Sequence, residues 1–276
     1  MLFAHYIVDT DPFAIHFSDE WFIQGIRWYG LSYLAGFLIA MFLLWLYTKK
    51  GRSPLTHDQN SSLMTYLLLG VIIGGRLGYM LFYDFANFTQ NPMSVFQIWR
   101  GGMASHGGFI GVIIATFAFS KVHKVSFLKV ADIIVTVCPP GIFLGRIANF
   151  WNGELWGKVS DVPWAMIFPY SAPTLPLDEI PARHPSQLYE AVTEGLLIFI
   201  ILQFRFWKTK PDAGRIAGEF MLLYAAARIV CEIFREPDAA LILGMSRGAF
   251  YSVFCVIIGI AFIVCARMNA QKQKLI

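Results

Sequence analysis

The sequence predicts an all-α integral membrane protein of seven spanning helices, and three observations carry that expectation. Of the 276 residues, 57% are hydrophobic and only 14% charged, against about 25% charged in a soluble domain. A soluble chain of this length needs more charge to cover its surface, so lipid is the solvent for much of it. The apolar residues also gather into runs of about 20, the length that crosses about 30 Å of hydrocarbon. Finally, Lys and Arg are shared unequally between the connections, as the positive-inside bias requires.

Seven runs qualify, at roughly Trp28–Tyr47, Ser62–Tyr83, Met103–Lys121, Phe127–Phe150, His184–Phe206, Ile216–Phe234 and Ser246–Arg267. An odd number puts the two termini on opposite sides. One set of ends and connections holds thirteen cations: Lys49, Lys50, Arg52, Lys121, Lys124, Lys129, Arg205, Lys208, Lys210, Arg215, Arg267, Lys272 and Lys274. The other set holds six, Arg27, Arg100, Lys158, Arg183, Arg235 and Arg247. The richer set faces inward, so the N-terminus is expected outside and the C-terminus inside. The N-terminal region through Trp21 is acidic and mixed, unlike a cleavable signal peptide, and the first span is expected to target the chain.

The chain reads as a single polytopic membrane domain over residues 1–276, with two features outside the bilayer. An arm over 1–27 mixes aromatics with acids and is expected at the outer interface. The connection over 151–183 carries Pro163, Pro169, Pro173, Pro176 and Pro181 and should form a small ordered periplasmic cap. A connection that long is usually functional or disordered, and its aromatics favour function. Pro139-Pro140-Gly141, in the middle of the fourth run, should break that helix, as a plain kink or as the wall of a cavity.

Several chemistries are excluded. The cysteines Cys138, Cys231, Cys255 and Cys265 lie in apolar stretches with no paired spacing, which suits neither a disulfide framework nor zinc. His-Glu-x-x-His, Gly-x-Ser-x-Gly and Walker-type loops are absent from the sequence, so no metal and no cofactor are expected. The net charge of +4 is modest, and without a basic patch no nucleic-acid partner is expected.

Ionisable groups inside spans are costly and default to functional candidates. With the orientation above, most fall at one level, the outer half of the bilayer. Tyr29 opens the first span, Arg76 lies late in the second, and His106 begins the third. Arg146 and Asn149 end the fourth, just before Asn152 and Glu154. Gln187, Glu190 and Glu194 lie early in the fifth, and Arg228 and Glu232 late in the sixth. Asp132 and Glu219 are exceptions near the inner ends, where snorkelling reaches water. Tyr224, Arg228 and Glu232 share one helical stripe, and Arg228 can pair with Glu232 at i, i+4. His106-Gly107-Gly108 lets a backbone or a headgroup approach closely. Gly74-Gly75-Arg76-Leu77-Gly78 suits helix packing, with Arg76 as an anion contact or a cavity wall. Arginines at headgroup depth suit a phosphate, which the guanidinium fork binds bidentately. A phospholipid is the natural carrier. A transporter or flippase of an anionic lipid is the alternative, but it would place polar groups along a path to the inside.

The motifs, taken in order, resemble the prolipoprotein diacylglyceryl transferase family over nearly the whole chain. They are Arg27-Trp28-Tyr29-Gly30, Gly74 to Tyr79, His106-Gly107-Gly108, the run Gly145 to Gly157, His184 to Glu190, and Arg228 to Asp238. The Gly145–Gly157 run is similar to the family's signature. Ser105, where an aromatic is expected, and the bulky Trp151 depart from the pattern and bear on local packing only. The resemblance implies two substrates, phosphatidylglycerol and a prolipoprotein signal peptide with its lipobox cysteine. It implies transfer of diacylglyceryl to the cysteine thiol in the bacterial inner membrane, with the site towards the periplasmic leaflet. His106 and Arg228 are then expected to be catalytic. Substrate-binding residues are expected at Arg146, Asn149, Tyr29, Glu154, Gly157, Arg76, Gln187, Tyr224 and Glu232.

Overall fold

The computed structural model describes residues 5–17, 25–97, 101–237 and 240–274. Trp21, Arg100 and Asp238, which figure in the sequence analysis, lie outside them. Helices occupy all seven apolar runs. They are α1 (Trp28–Lys49), α2 (His57–Phe82), then after a short α3 (Phe85–Gln90), α4 (Ser105–Val122), the consecutive α5 (Phe127–Val137) and α6 (Pro139–Trp151), a continuous helix over 186–208, α9 (Arg215–Glu232) and α10 (Arg247–Lys274). The helix over 186–208 consists of α7 (Ser186–Glu190), a π-helical stretch Ala191–Leu197, and α8 (Ile198–Lys208).

Five of the seven are long and apolar enough to cross a membrane. The described apolar part of α4, His106–Val122, is shorter. α9 has 18 residues, among them Arg215, Glu219, Arg228 and Glu232, and those charges dilute its hydropathy. The expected chemistry and the expected span therefore compete for the same residues.

The chain forms two compact units, one of residues 1–40 with 134–276 and one of residues 41–133. In the second unit α2 and α4 pack through small residues. A Cβ on Gly74 would lie 2.8 Å from Gly111 Cα, and one on Gly78 would lie 2.7 Å from Gly107 Cα. The spacing Gly70, Gly74, Gly78 on one helix against Gly107, Gly111 on the other is the small-residue pattern that lets helix backbones touch in lipid. α2 starts on a capping box, with Thr56 and Gln59 each satisfying the other's backbone N–H.

In the first unit the expected break at Pro139-Pro140 is confined to one residue, Cys138, whose backbone stays in the right-handed helical region. Two prolines in succession remove the N–H groups that would reach the carbonyls of Val135 and Thr136. Both carbonyls find side-chain partners. The Cys138 thiol reaches Val135 O at 3.8 Å, and the Gln203 amide donates to Thr136 O at 2.9 Å. The kink is thereby tied to α8.

The arm and the cap are ordered together. Strand β1 (Tyr6–Ile7) pairs in parallel with β4 (Met166–Ile167), while β2 (Phe13–His16) and β3 (Gly25–Arg27) form an antiparallel pair that leads into α1. His5 Nδ1 lies 2.9 Å from Ala165 O, and Trp28 packs on Trp151 with ring centroids 5.7 Å apart. The bulk at Trp151 is thus accommodated by an aromatic pair at the foot of the arm.

Candidate functional site

Three arginines and three glutamates from α6, the 186–208 helix, α9 and the residues just after α9 meet in one buried network. α6 delivers Arg146, one turn before its end at Trp151. Its Nη2 donates to Glu194 Oε2 at 3.0 Å, and its Nη1 lies 2.9 Å from Glu190 Oε2. The second contact is off the line of a hydrogen bond, so it is ionic in character. α9 delivers Arg228, whose Nη1 reaches Glu190 Oε1 at 2.8 Å and Glu194 Oε1 at 3.3 Å. Its Nη2 donates to Glu232, the i, i+4 pair expected from the sequence. Arg235 Nη1 completes the group, 2.8 Å from Glu190 Oε1. The Glu190 and Glu194 side chains are wholly buried.

The two arginines expected to serve one ligand do converge, since both touch Glu190 and both touch Glu194. Their charge is not bare, however. Three guanidiniums face three carboxylates, so the network is formally neutral. Burying an unpaired guanidinium in hydrocarbon would cost several kcal/mol. The carboxylates offset the charge of the arginines and fix their orientation, which a single Arg228–Glu232 pair could not do for both.

One helix offers both glutamates, which at i and i+4 share a face, and a π-helical stretch begins between them. Glu190 ends α7 and Glu194 lies within Ala191–Leu197. Widening the helix there re-aims side chains that follow, as π-bulges do at many functional sites. Gly195 lets this helix approach α6 closely: a Cβ there would sit 2.6–2.8 Å from the backbone and Cβ of Phe143.

A second, smaller cluster adjoins the first through the same elements. Asn149, buried near the end of α6, donates to Glu154 Oε1 at 2.8 Å, and Gln187 donates to the Glu154 carbonyl at 2.6 Å. Gln187 Oε1 is buried with no hydrogen-bond partner among the described residues. Ser186 Oγ donates to Leu155 O at 3.0 Å, so the turn after α6 is clamped onto the start of α7. Gly157 lies between two passing segments, and a Cβ there would meet the carbonyl oxygens of His184 and Phe234 at 2.6 Å each. Its expected place in substrate binding therefore has a packing role beside it. Tyr224 lies within electrostatic reach of Glu194, Arg146, Arg228 and Glu190. Tyr29 is half-buried and contacts Tyr33, with hydroxyls 3.5 Å apart, and Tyr33 in turn feels Arg146.

Arg76 and His106 belong to the other unit. Arg76 is buried, and backbone carbonyls take most of its guanidinium. Nε reaches Val95 O at 3.1 Å, Nη1 reaches Gly101 O at 2.5 Å and Gly102 O at 3.1 Å, and Nη2 reaches Ser94 O at 2.6 Å. That uses four of the five N–H groups the fork possesses, so this arginine ties both ends of the 94–102 segment to α2. His106 stands in the first turn of α4, half-buried.

Two participants were missed from the sequence. Arg235 was counted as a charge of an outer connection and quoted within the Arg228–Asp238 motif, but it was given no role at the site. Gly248, at the start of α10, was not singled out. A Cβ there would lie 2.5 Å from Arg228 Nε and 2.6 Å from Glu232 Cδ, so α10 presses directly on that pair. A glycine at a helix start carries no such signal by itself. Among the described residues no group of His, Cys, Asp and Glu is arranged to hold a metal ion.

The comparisons with known proteins agree on one family. A family profile described as prolipoprotein diacylglyceryl transferase matches residues 20–265. A curated relative from Pseudoalteromonas translucida (strain TAC 125), named phosphatidylglycerol–prolipoprotein diacylglyceryl transferase, is 46% identical over 251 residues, 90% of this chain and 91% of its own. Relatives of the same name from Idiomarina loihiensis and Rhodospirillum rubrum are 44% and 42% identical, over 95% and 97% of this chain and 94% and 96% of their own. With nearly all of its helical body matched and its buried arginine–glutamate network inside the matched region, the chain belongs to the prolipoprotein diacylglyceryl transferase family.

Proposed function

We propose that this chain transfers the diacylglyceryl group of phosphatidylglycerol to the thiol of a prolipoprotein's lipobox cysteine, forming a thioether and releasing glycerol phosphate. The observation that carries this reading is the convergence of Arg146 and Arg228 on Glu190 and Glu194, beside the Asn149–Glu154–Gln187 cluster. The chain acts as one polytopic domain of seven spans in the bacterial inner membrane. Its N-terminus is outside and its C-terminus inside, and the arginine network lies towards the periplasmic leaflet. The uneven Lys and Arg count supports that orientation, and the five long apolar helices support the multi-pass reading.

In the reaction, His106 takes the proton of the thiol, whose free pKa is about 8.5. The thiolate sulfur attacks the glyceryl carbon that bears the phosphate ester oxygen. The carbon–oxygen bond breaks, its electrons pass to that oxygen, and glycerol phosphate departs with one more negative charge. Arg146 and Arg228 stabilise that charge as it develops. Their carboxylate partners fix them in advance, so little reorganisation is required, and preorganised donors of this kind contribute about 2.7–4 kcal/mol each. Asn149, Glu154, Gln187 and Tyr29 bind headgroup hydroxyls or position the arginines, Tyr224 lines the same place, and Glu232 orients Arg228. Gly157 keeps the turn after α6 against its neighbours, and Arg76 holds the segment that precedes His106. No enzyme nucleophile is required, because the substrate supplies the thiol. The family's chemistry argues against the transporter or flippase alternative.

The test mixes the purified full chain in detergent with phosphatidylglycerol and a lipobox peptide. Glycerol phosphate is expected to appear in step with thioether-modified peptide, and its absence would refute the reading. His106→Gln tests the base: the rate is expected to fall and its pH dependence to change, whereas an unchanged rate and profile would remove His106 from the chemistry.

A further inference from the structure

A second charged site lies at the far end of the helix that carries Glu190 and Glu194. The turn between α8 and α9 borders an open cleft of about 270 Å³, lined by Arg205, Thr209, Lys210, Pro211, Asp212 and Arg215. Arg205 follows Glu190 by fifteen residues, about 22 Å along a helix, so this cleft is separate from the network above.

Its geometry is that of a prepared anion site. Glu219 on α9 accepts from Arg205 Nε and Nη2 at 2.9 and 2.7 Å and from Arg215 Nε at 3.2 Å. One carboxylate therefore sets the planes of two guanidiniums. Among the described residues the η nitrogens of Arg215 and the Lys210 ammonium have no hydrogen-bond partner. Gly214, at φ +94°, turns the chain into α9 so that the positive end of that helix is at the same turn. Asp212 on the wall opposes an anion, but three cations line the cleft against that one acid, with Glu219 already shared between two of them.

The surroundings identify the anion as part of a lipid. Along α8, Ile200, Phe204 and Trp207 are exposed apolar side chains that lead up to the charged turn. An apolar wall with a tryptophan near its end and arginine and lysine beyond is the profile of a bilayer interface. Basic pockets between spans recognise anionic headgroups in this setting. We propose that the α8–α9 turn binds the phosphate of an anionic phospholipid, with its acyl chains along Ile200, Phe204 and Trp207, as a bound lipid distinct from the reacting one.

The experiment offers the full chain in mixed micelles equal amounts of phosphatidic acid and phosphatidylcholine and measures retained lipid by native mass spectrometry. The unmodified chain and Arg146→Lys are both expected to retain phosphatidic acid several-fold over phosphatidylcholine. Lys210→Gln with Arg215→Gln is expected to lower that ratio several-fold, with diacylglyceryl transfer in detergent unchanged. Lys210→Glu alone, which spares the Arg205–Glu219–Arg215 contacts, is expected to lower it comparably. Full preference in both variants overturns the proposal, as does loss of preference in Arg146→Lys alone. Displacement of the lipid by inorganic phosphate at equal concentration would assign the cleft to a free anion and overturn it equally.

Discussion

Arg76 and Arg228 begin as the same signal, an arginine inside an apolar helix, and end in opposite surroundings. Arg76 is enclosed by the carbonyl oxygens of Ser94, Val95, Gly101 and Gly102. Arg228 is enclosed by the carboxylates of Glu190, Glu194 and Glu232. Carbonyls satisfy hydrogen bonds without neutralising charge, which suits a clamp on a connecting segment. Carboxylates neutralise the charge and fix its orientation, and they connect Arg228 to Arg146 and Arg235. Depth in the membrane marks an arginine as costly. The partners decide whether that cost supports architecture or chemistry.

The sharpest way to break this comparison is to remove the residue that makes the difference. Glu190→Gln takes one carboxylate from three arginines at once and leaves buried charge uncompensated. A loss of about 3–5 kcal/mol is expected, read as a lower unfolding temperature in detergent, and an unchanged temperature would mean the network is not held by Glu190. Next is Arg146→Ala, expected to lower turnover about 10²–10³-fold, the effect of losing a preorganised donor. Arg146→Lys should fail nearly as badly because an ammonium lacks the fork, and full activity in the Lys variant would contradict bidentate contact with a phosphate.

Arg76→Leu is expected to cost less, about 1–3 kcal/mol for buried carbonyls left without donors, with KM for phosphatidylglycerol unchanged in protein that folds. A KM effect without a stability effect would move Arg76 from the clamp class to the ligand class. The smallest expected effect is Gln203→Leu, which removes the amide donor to the Thr136 carbonyl at the proline kink. About 1 kcal/mol of stability should be lost and catalysis left alone.

The helices were legible because bilayer thickness imposes one length on every spanning segment and apolar composition reveals it. All seven runs are helical, yet α9 falls short of the hydropathy of a span because it carries Arg228 and Glu232. Tyr224, Arg228 and Glu232 could be placed on one stripe because helical periodicity is local. Glu190 and Glu194 could be listed by depth but not paired with Arg146, which stands more than forty residues earlier in the chain. Arg235 was read within its motif but given no role, and Gly248 was passed over, because the partners that distinguish them stand on other helices.

The sequence alone determined the class of molecule, the helical stretches and the family, since composition, run length and ordered motifs are properties of the chain read in one dimension. Tertiary structure alone decided that Glu190 is shared by three arginines, that Gln203 rescues the carbonyl the proline pair abandons, and that Arg76 closes on backbone. Each depends on which side chains meet across segments distant in sequence. Ion pairs and hydrogen bonds act over about 3 Å, so the choice of partner exists only once the helices have packed.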